Sequence, residues 1–201
     1  IKTPSIIQRV FSSYRWRFSS VQKEIYLTFD DGPTPEITTF VLNELKKHQA
    51  KATFFCIGKN VKNHPSIYER IKKEGHSVGN HTYNHLNGFR TNNINYIENI
   101  LQAEKLIETN LFRPPYGRLK SSQARSIISK GYKIIMWDVL SGDFDTTITP
   151  EKCLKNVLEK TTNGSIVVMH DSEKAKDKIF YTLPKILSYY QEKGYLFKAI
   201  S

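Results

Sequence analysis

Two histidines four residues apart, His81 and His85, lie in a chain that also carries adjacent carboxylates at Asp30 and Asp31. On one helical turn or in a tight loop, imidazoles at i and i+4 can face a single ion. Two solvent-facing histidines on a surface helix share that spacing, so the carboxylates carry the argument. An aspartate supplies an oxygen ligand, and His, His, Asp with a position left open is the ligand count of a catalytic metal site rather than a closed structural one. Adjacent side chains on extended backbone point in different directions, so one aspartate can bind the ion while the other faces a water on it. Which does which stays open at this level, and Asp31-Gly32-Pro33 is also good turn chemistry.

Three further groups could complete a reaction. Arg113 stands before Pro114-Pro115-Tyr116-Gly117, a stiff turn on which a guanidinium can orient a carboxylate through a forked pair, although a surface salt bridge would read the same way. His170 ends the apolar run 166–169. Alone it reads as a core histidine; facing other polar groups, with Asp143 or Asp138 on its ring to raise its pKa, it becomes a general acid. His48, His64 and His76 have no such setting and read as structural.

The elements that must position these groups follow a regular rhythm. Short β-branched or aromatic runs at 25–29, 52–57, 77–80, 111–113, 132–137, 165–169 and 195–200 predict strands. Segments of helical spacing lie between them at 37–48, 65–74, 93–109, 121–129, 150–160 and 181–193. Thr149 before Pro150 predicts a capped helix start, and Gly75, Gly131 and Gly194 predict helix ends. Such β/α alternation implies about seven parallel strands with helices outside, open or closed into a barrel. A complete eight-unit barrel needs about 250 residues, so a closed form here is small or incomplete. Asp30/Asp31, His81/His85, Arg113, Asp138/Asp143 and His170/Asp171 all fall at strand carboxyl ends, which converge on one face in either architecture.

Length and composition limit the alternatives. With 201 residues the chain is expected to bury one core, and no apolar run approaches the ~18 residues of a membrane span. Thirty Lys+Arg against 19 Asp+Glu give a formal charge of +11, which favours polyanions, yet no nucleic-acid module accompanies it and no nucleic-acid partner is expected. Cys56 and Cys153 lie far apart and read as buried, reduced thiols. Residues 1–23 read as an N-terminal extension packed on a catalytic domain over 24–201. Within the extension, the alternation Tyr14-Arg15-Trp16-Arg17-Phe18 fits an edge strand better than a membrane-surface or glycan-stacking element. The first 24 residues show no secretory-signal pattern, so a cytoplasmic chain or an exported one with a trimmed start is expected, acting as a monomer.

Five ordered motifs carry a resemblance: Thr28-Phe29-Asp30-Asp31-Gly32-Pro33, Lys51-Ala52-Thr53-Phe54-Phe55, Gly79-Asn80-His81-Thr82-Tyr83-Asn84-His85, Arg113-Pro114-Pro115-Tyr116-Gly117 and Val168-Met169-His170-Asp171. Over about residues 24–200 the chain resembles the polysaccharide deacetylase family, also described as NodB-homology domains or carbohydrate esterase family four. The resemblance implies a distorted, incomplete (β/α) barrel and metal-dependent removal of acetyl groups from sugar polymers. It implies that Asp31, His81 and His85 hold one divalent metal, most often zinc, with cobalt or nickel able to serve. It makes Asp30 the base, Arg113 its orienting partner, Tyr116 the donor of a backbone N–H to the oxyanion and His170 the acid.

One further family motif, Asp-x-x-Asp-Trp, is altered to Leu140-Ser141-Gly142-Asp143-Phe144: Asp143 is kept, while Phe144 changes one groove wall and Leu140 removes a carboxylate. Val168 stands where the family often has Leu, in the pocket for the acetyl methyl. The substrate expected is an acetylated glycan containing N-acetylglucosamine, such as peptidoglycan or chitooligosaccharide. An O-acetyl xylan esterase, a catalytically silent glycan-binding module and a two-carboxylate glycosidase using Asp30 and Asp143 are the alternatives.

Overall fold

The computed structural model describes residues 1–19 and 21–201. In chain order the elements are α1 (Ser5–Val10), β1 (Glu24–Asp30), α2 (Pro35–Lys47), β2 (Thr53–Cys56), α3 (Gly58–Asn63), α4 (Pro65–Lys73), β3 (Ser77–Asn80), α5 (Asn93–Glu104), β4 (Leu111–Phe112), α6 (Ser121–Ser129), β5 (Lys133–Ile134), β6 (Val139–Leu140), α7 (Pro150–Leu158), β7 (Ile166–His170), α8 (Lys176–Glu192) and β8 (Leu196–Phe197). Short 3₁₀ turns lie at Gly88–Arg90, Pro115–Gly117 and Glu173–Ala175.

Every ladder between these strands is parallel. Seven strands follow one path, β5-β4-β3-β2-β1-β7-β6, and β8 pairs with the start of β1. β5 and β6 stand at opposite ends of that path although only four residues, 135–138, separate them. The sheet must therefore curl until its two ends face each other across a seam, the distorted, incomplete barrel expected.

The inside and outside of the curl follow from strand periodicity. Ile25, Leu27 and Phe29 of β1 pack outward with Val41 and Leu45 of α2 and Leu183 and Leu187 of α8 in the larger core cluster. Their neighbours Tyr26, Thr28 and Asp30 belong to the opposite, inner face. There Phe55, Leu111, Ile135, Ile166 and Ile200 form a small core, with Phe18 stacked on Tyr26 at 4.1 Å. β2 is buried along its whole length, as a strand covered on both faces must be.

Three departures from the expected elements have physical causes. The run 132–137 is not one strand: after β5 the chain crosses the seam, Ile135 N–H donating to Phe112, Met136 to Arg15 and Asp138 to Ile166, before pairing resumes as β6 on the other side. The alternating segment 14–18 forms only isolated bridges, Arg15 with Ile135 and Arg17 with Ser165, while Trp16 is buried beside Ile134 and Met136. It lines the seam instead of extending an edge. α8 begins five residues before the expected start and runs through Pro184, held by the buried stripe Ile179, Leu183, Ile186, Leu187 and Tyr190. The Thr149 cap accepts from Lys152 N–H at 3.2 Å, and Gly131 and Gly194 take positive φ at helix ends, as their positions predicted. Cys56 and Cys153 are free and buried, and no helix among the described residues is long and apolar enough to cross a membrane.

Candidate active site

The carboxyl ends of the strands open into one cavity of about 1060 Å³. Its lining includes Asp30, Asp31, His81, His85, Tyr116, Leu140, Phe144, Val168 and His170, so residues spread over most of the chain meet there. Arg113 and Asp143 sit behind that lining, each bonded to a residue that faces the cavity.

Asp30 ends β1 and points into the curl, 4% exposed. Its Oδ1 accepts from Arg113 Nη1 at 2.7 Å. That guanidinium is fully buried and every arm is used: Nη1 also donates to Thr28 Oγ1, Nε to the Ile135 carbonyl at 3.1 Å and Nη2 to the Met136 carbonyl at 3.0 Å, with the Phe55 ring 4.1 Å beneath. The expected fork therefore becomes a single-pronged pair, because the other prong is committed to the backbone crossing the seam.

At Asp31 the chain turns sharply, with φ +85°, and the side chain leaves in a different direction from Asp30. Asp171 shapes this turn. Its carboxylate accepts from Gly32 N–H at 3.0 Å and from Thr38 Oγ1, and a Cβ at Gly32 would stand 2.0 Å from its Oδ2. Burial pushes Asp171 up to about 7, with the Asp31 charge adding to the rise against the bond from Thr38. Sequence reasoning assigned no role to Asp171, although it adjoins His170.

His81 follows β3, and its Nδ1 lies 2.7 Å from the Arg113 carbonyl, which can only accept. That bond leaves Nε2 as the free lone pair. Burial lowers the His81 pKa to about 4, so the ring is neutral at neutral pH, as a ligand must be. His85 is reached through a tight loop, with Thr82 and His85 both at positive φ. Asn80 Oδ1 accepts from Thr82 N–H, and Asn99 Oδ1 accepts from Tyr83 and Asn84 N–H, so two asparagines outside the expected site residues hold the loop.

Asp31 Oδ1 stands 3.1 Å from His85 Nε2 and 3.7 Å from His81 Nε2, and it is buried with no hydrogen-bond donor directed at it. Burial acts to raise its pKa, but the surrounding imidazoles of His85, His170 and His81 outweigh it and hold the carboxyl below the ordinary range. Tetrahedral ligand atoms about 2.0–2.1 Å from a zinc ion stand ~3.4 Å from one another. An orphaned oxygen facing two imidazole nitrogens at such separations fits a divalent metal ion, and all three residues line the cavity.

Across the cavity His170 Nδ1 meets Asp143 Oδ1 at 2.7 Å, and the His170 backbone N–H donates to Asp143 Oδ2 at 2.7 Å. Burial would lower the His170 pKa, but the Asp143 charge and hydrogen bond, with Asp30 and Asp31 beyond, raise it to about 9. Of the two aspartates weighed for this place, Asp138 is elsewhere: its carboxylate accepts from Ser165 Oγ at 2.6 Å and from Gln8. Phe144 stands edge-on to His170 at 5.1 Å, and Tyr116, at φ +61°, lays its ring 4.6 Å from His85. Val168 is 1% exposed at the floor. His64, read from the sequence as structural, lines the mouth, whereas His76 is buried against Phe54 with its pKa lowered by burial to about 4.

A curled parallel sheet whose mouth joins a two-histidine, one-aspartate cluster to an Asp–Arg pair and a His–Asp pair defines a barrel-type metal-dependent hydrolase. Residues 19–135 match the family described as Polysaccharide deacetylase, and the chain belongs to that family, whose members are metal-dependent. Among its relatives are two peptidoglycan-N-acetylglucosamine deacetylases of Bacillus cereus. One is 33% identical over 192 residues, covering 92% of this chain and 90% of the relative. The other is 35% identical over 167 residues, covering 79% of this chain and 60% of the relative. The crystal structure of the Bc1960 peptidoglycan N-acetylglucosamine deacetylase superposes with a TM-score of 0.90 at 31% identity, covering 98% of this chain and 95% of that one.

Proposed function

We propose that the chain hydrolyses the acetamide of N-acetylglucosamine units in a glycan, releasing acetate and leaving a free amine. The observation that carries this is the pair of proton-handling groups flanking the metal trio: a carboxylate held by a buried arginine on one side and an imidazole pushed up to about 9 on the other. The relatives support the amino-sugar substrate. Asp31, His81 and His85 are the residues that would hold the ion, with zinc suited to the donor set. When bound, the ion polarises the amide carbonyl and acidifies the attacking water.

This chain's own groups supply the rest. Asp30 takes the proton of the attacking water, its free oxygen kept in place by Arg113. Tyr116 offers its backbone N–H to the oxygen that gains charge as the carbonyl becomes tetrahedral. His170, protonated at neutral pH because Asp143 supports it, delivers a proton to the departing nitrogen and so makes an amine leave instead of an amide anion. Val168 and Leu140 form the apolar wall against the acetyl methyl, and Phe144 closes one side of the groove.

Acetate release from N-acetylglucosamine oligomers by zinc-loaded protein, with a chelated control, tests the proposal. Release that chelation abolishes and zinc restores is expected, and Asp30→Asn should retain zinc while losing ~10²–10⁴-fold in rate. Loss of zinc by Asp30→Asn would overturn the division of labour between the two aspartates. Release from acetylated xylan alone would convert the proposal to an O-acetyl esterase, and chelator-resistant hydrolysis would exclude the mechanism.

A further inference from the structure

The catalytic groups leave one part of the cavity mouth unexplained. Arg90 and Arg118 line it from the loops that follow β3 and β4, and Lys174 lines it from the loop after β7. Against these three cations the lining holds one carboxylate besides Asp30 and Asp31, the exposed Glu173. Neither guanidinium makes an ion pair or a side-chain hydrogen bond among the described residues. The Arg118 guanidinium lies over the Phe89 ring, 5.9 Å from its centroid, which leaves its N–H donors free.

Such exposed arginines would ordinarily swing freely, yet the turn that presents Arg90 is heavily tied down. Asn87 Oδ1 accepts from Phe89 N–H at 3.0 Å, and Thr91 Oγ1 donates to the Asn87 carbonyl at 2.8 Å. The fully buried Gln123 donates to the carbonyls of Gly88 and Thr91, and Lys120 Nζ donates to Thr91 as well. A Cβ at Gly88 would stand 2.4 Å from the Arg118 carbonyl, so the two loops are packed against each other. Phe89 remains 54% exposed beneath the Arg118 guanidinium. Five hydrogen bonds thus hold a turn that presents Arg90 and the Phe89 face, and the Arg118 guanidinium of the loop packed against it lies over that face; a planar fork on an aromatic ring is preorganised for a carboxylate.

We propose that Arg90 and Arg118 form a carboxylate-recognition subsite beside the catalytic centre, selecting glycans in which acetamido sugars alternate with units bearing a free carboxylate. It rests on the deacetylase function proposed above and names the chemistry of the neighbouring residue in the substrate. Lys174 on the other rim adds to the field that draws such a chain in. The subsite acts on binding, leaving proton transfer to Asp30 and His170.

The test compares three substrates: a neutral N-acetylglucosamine oligomer, a glycan alternating N-acetylglucosamine with its 3-O-lactyl ether carrying a free carboxylate, and the methyl ester of that same glycan. The ratio of kcat/KM for acid over ester is read in each protein, so losses common to both substrates cancel. In the unmodified protein the ratio is expected at about fivefold or more, expressed in KM and falling as salt rises; in Arg90→Gln/Arg118→Gln it approaches one. Arg90→Lys/Arg118→Lys, which keeps the charge and loses the fork, falls between. A ratio of one in the unmodified protein, or an undiminished ratio in the Gln variant, would overturn the subsite while hydrolysis of the neutral oligomer leaves the deacetylase proposal standing. If no substrate is hydrolysed, that proposal fails. Equilibrium binding of acid and ester to the same proteins still decides the subsite: preference for the acid that the Gln variant loses supports it, and equal binding refutes it.

Discussion

Replacing Asp143 by Asn separates two consequences of one contact. The rise of the His170 pKa from 6.5 to about 9 corresponds to ~3 kcal/mol of preference for the protonated ring. At pH 8 a group titrating near 9 is about nine-tenths protonated and one titrating near 6.5 about 3%, so loss of acid form alone should slow Asp143→Asn ~30-fold there. At pH 6 both forms are largely protonated, and the same factor shrinks to less than about twofold. The alkaline limb of kcat/KM should therefore move by about 2.5 pH units toward acid.

Stability should run the other way. Because the folded-state pKa lies above the unfolded one, the pair stabilises fully below about 6.5, and its contribution disappears as pH rises through about 9. Asp143→Asn should thus cost up to ~3 kcal/mol in urea unfolding at pH 6 and little at pH 10, while its kinetic deficit is smallest at pH 6 and largest above pH 8. A pH–rate profile and urea melts at both pH values check this. An alkaline limb that stays in place in the variant, or a kinetic deficit independent of pH, would refute the assignment of His170 as an acid supported by Asp143.

Two more perturbations probe the groups around the aspartates. Arg113→Lys keeps a positive charge but cannot serve Asp30, Thr28, Ile135 and Met136 together; it should cost ~3 kcal/mol in urea unfolding, and a loss below about 0.5 kcal/mol would show that the buried pair does not organise the seam. Gly32→Ala places a methyl 2.0 Å from Asp171 Oδ2, so it should destabilise by ~1–3 kcal/mol and weaken zinc binding through Asp31. The double variant with Asp171→Ala relieves that clash and should lose less than the sum of its parts; strict additivity, read by urea melts and zinc titration, would refute the steric account.

The gathering of these polar groups was legible because, in a parallel β/α fold, residues that follow apolar runs have one place to meet, whereas the pairing of Arg113 with Asp30 and of Asp31 with the two histidines was implied by the family resemblance. Their identities and order along the chain were enough to bring Asp30, Asp31, His81, His85, Arg113 and His170 to one mouth. What was hidden depends on contacts that no local pattern encodes. Asp138 and Asp143 follow the same run and look equivalent in sequence, yet Asp138 is drawn to Ser165 and Gln8 at the amino ends of β6 and β7 while Asp143 reaches His170. Asn99, sixteen residues from Tyr83, carries no mark of the loop it holds, and the Arg90 turn is tied by Gln123, thirty-five residues beyond Gly88.

The seam shows why these long-range details matter to the chemistry. A single strand over 132–137 would have kept Asp143 on the same side as Arg113, beside β4. Instead the chain leaves β5, crosses at 135–138 and restarts as β6 against β7, carrying Asp143 to the strand that ends in His170. Arg113 is bound to the carbonyls of Ile135 and Met136, two residues of that crossing, and to Asp30 at the same time. The guanidinium that positions the proposed base is therefore also the clamp on the segment that delivers the support of the proposed acid. Acid and base are coupled through one buried side chain, which is why Arg113→Lys should disturb the His170 limb of the pH profile as well as Asp30, although Arg113 touches neither His170 nor Asp143.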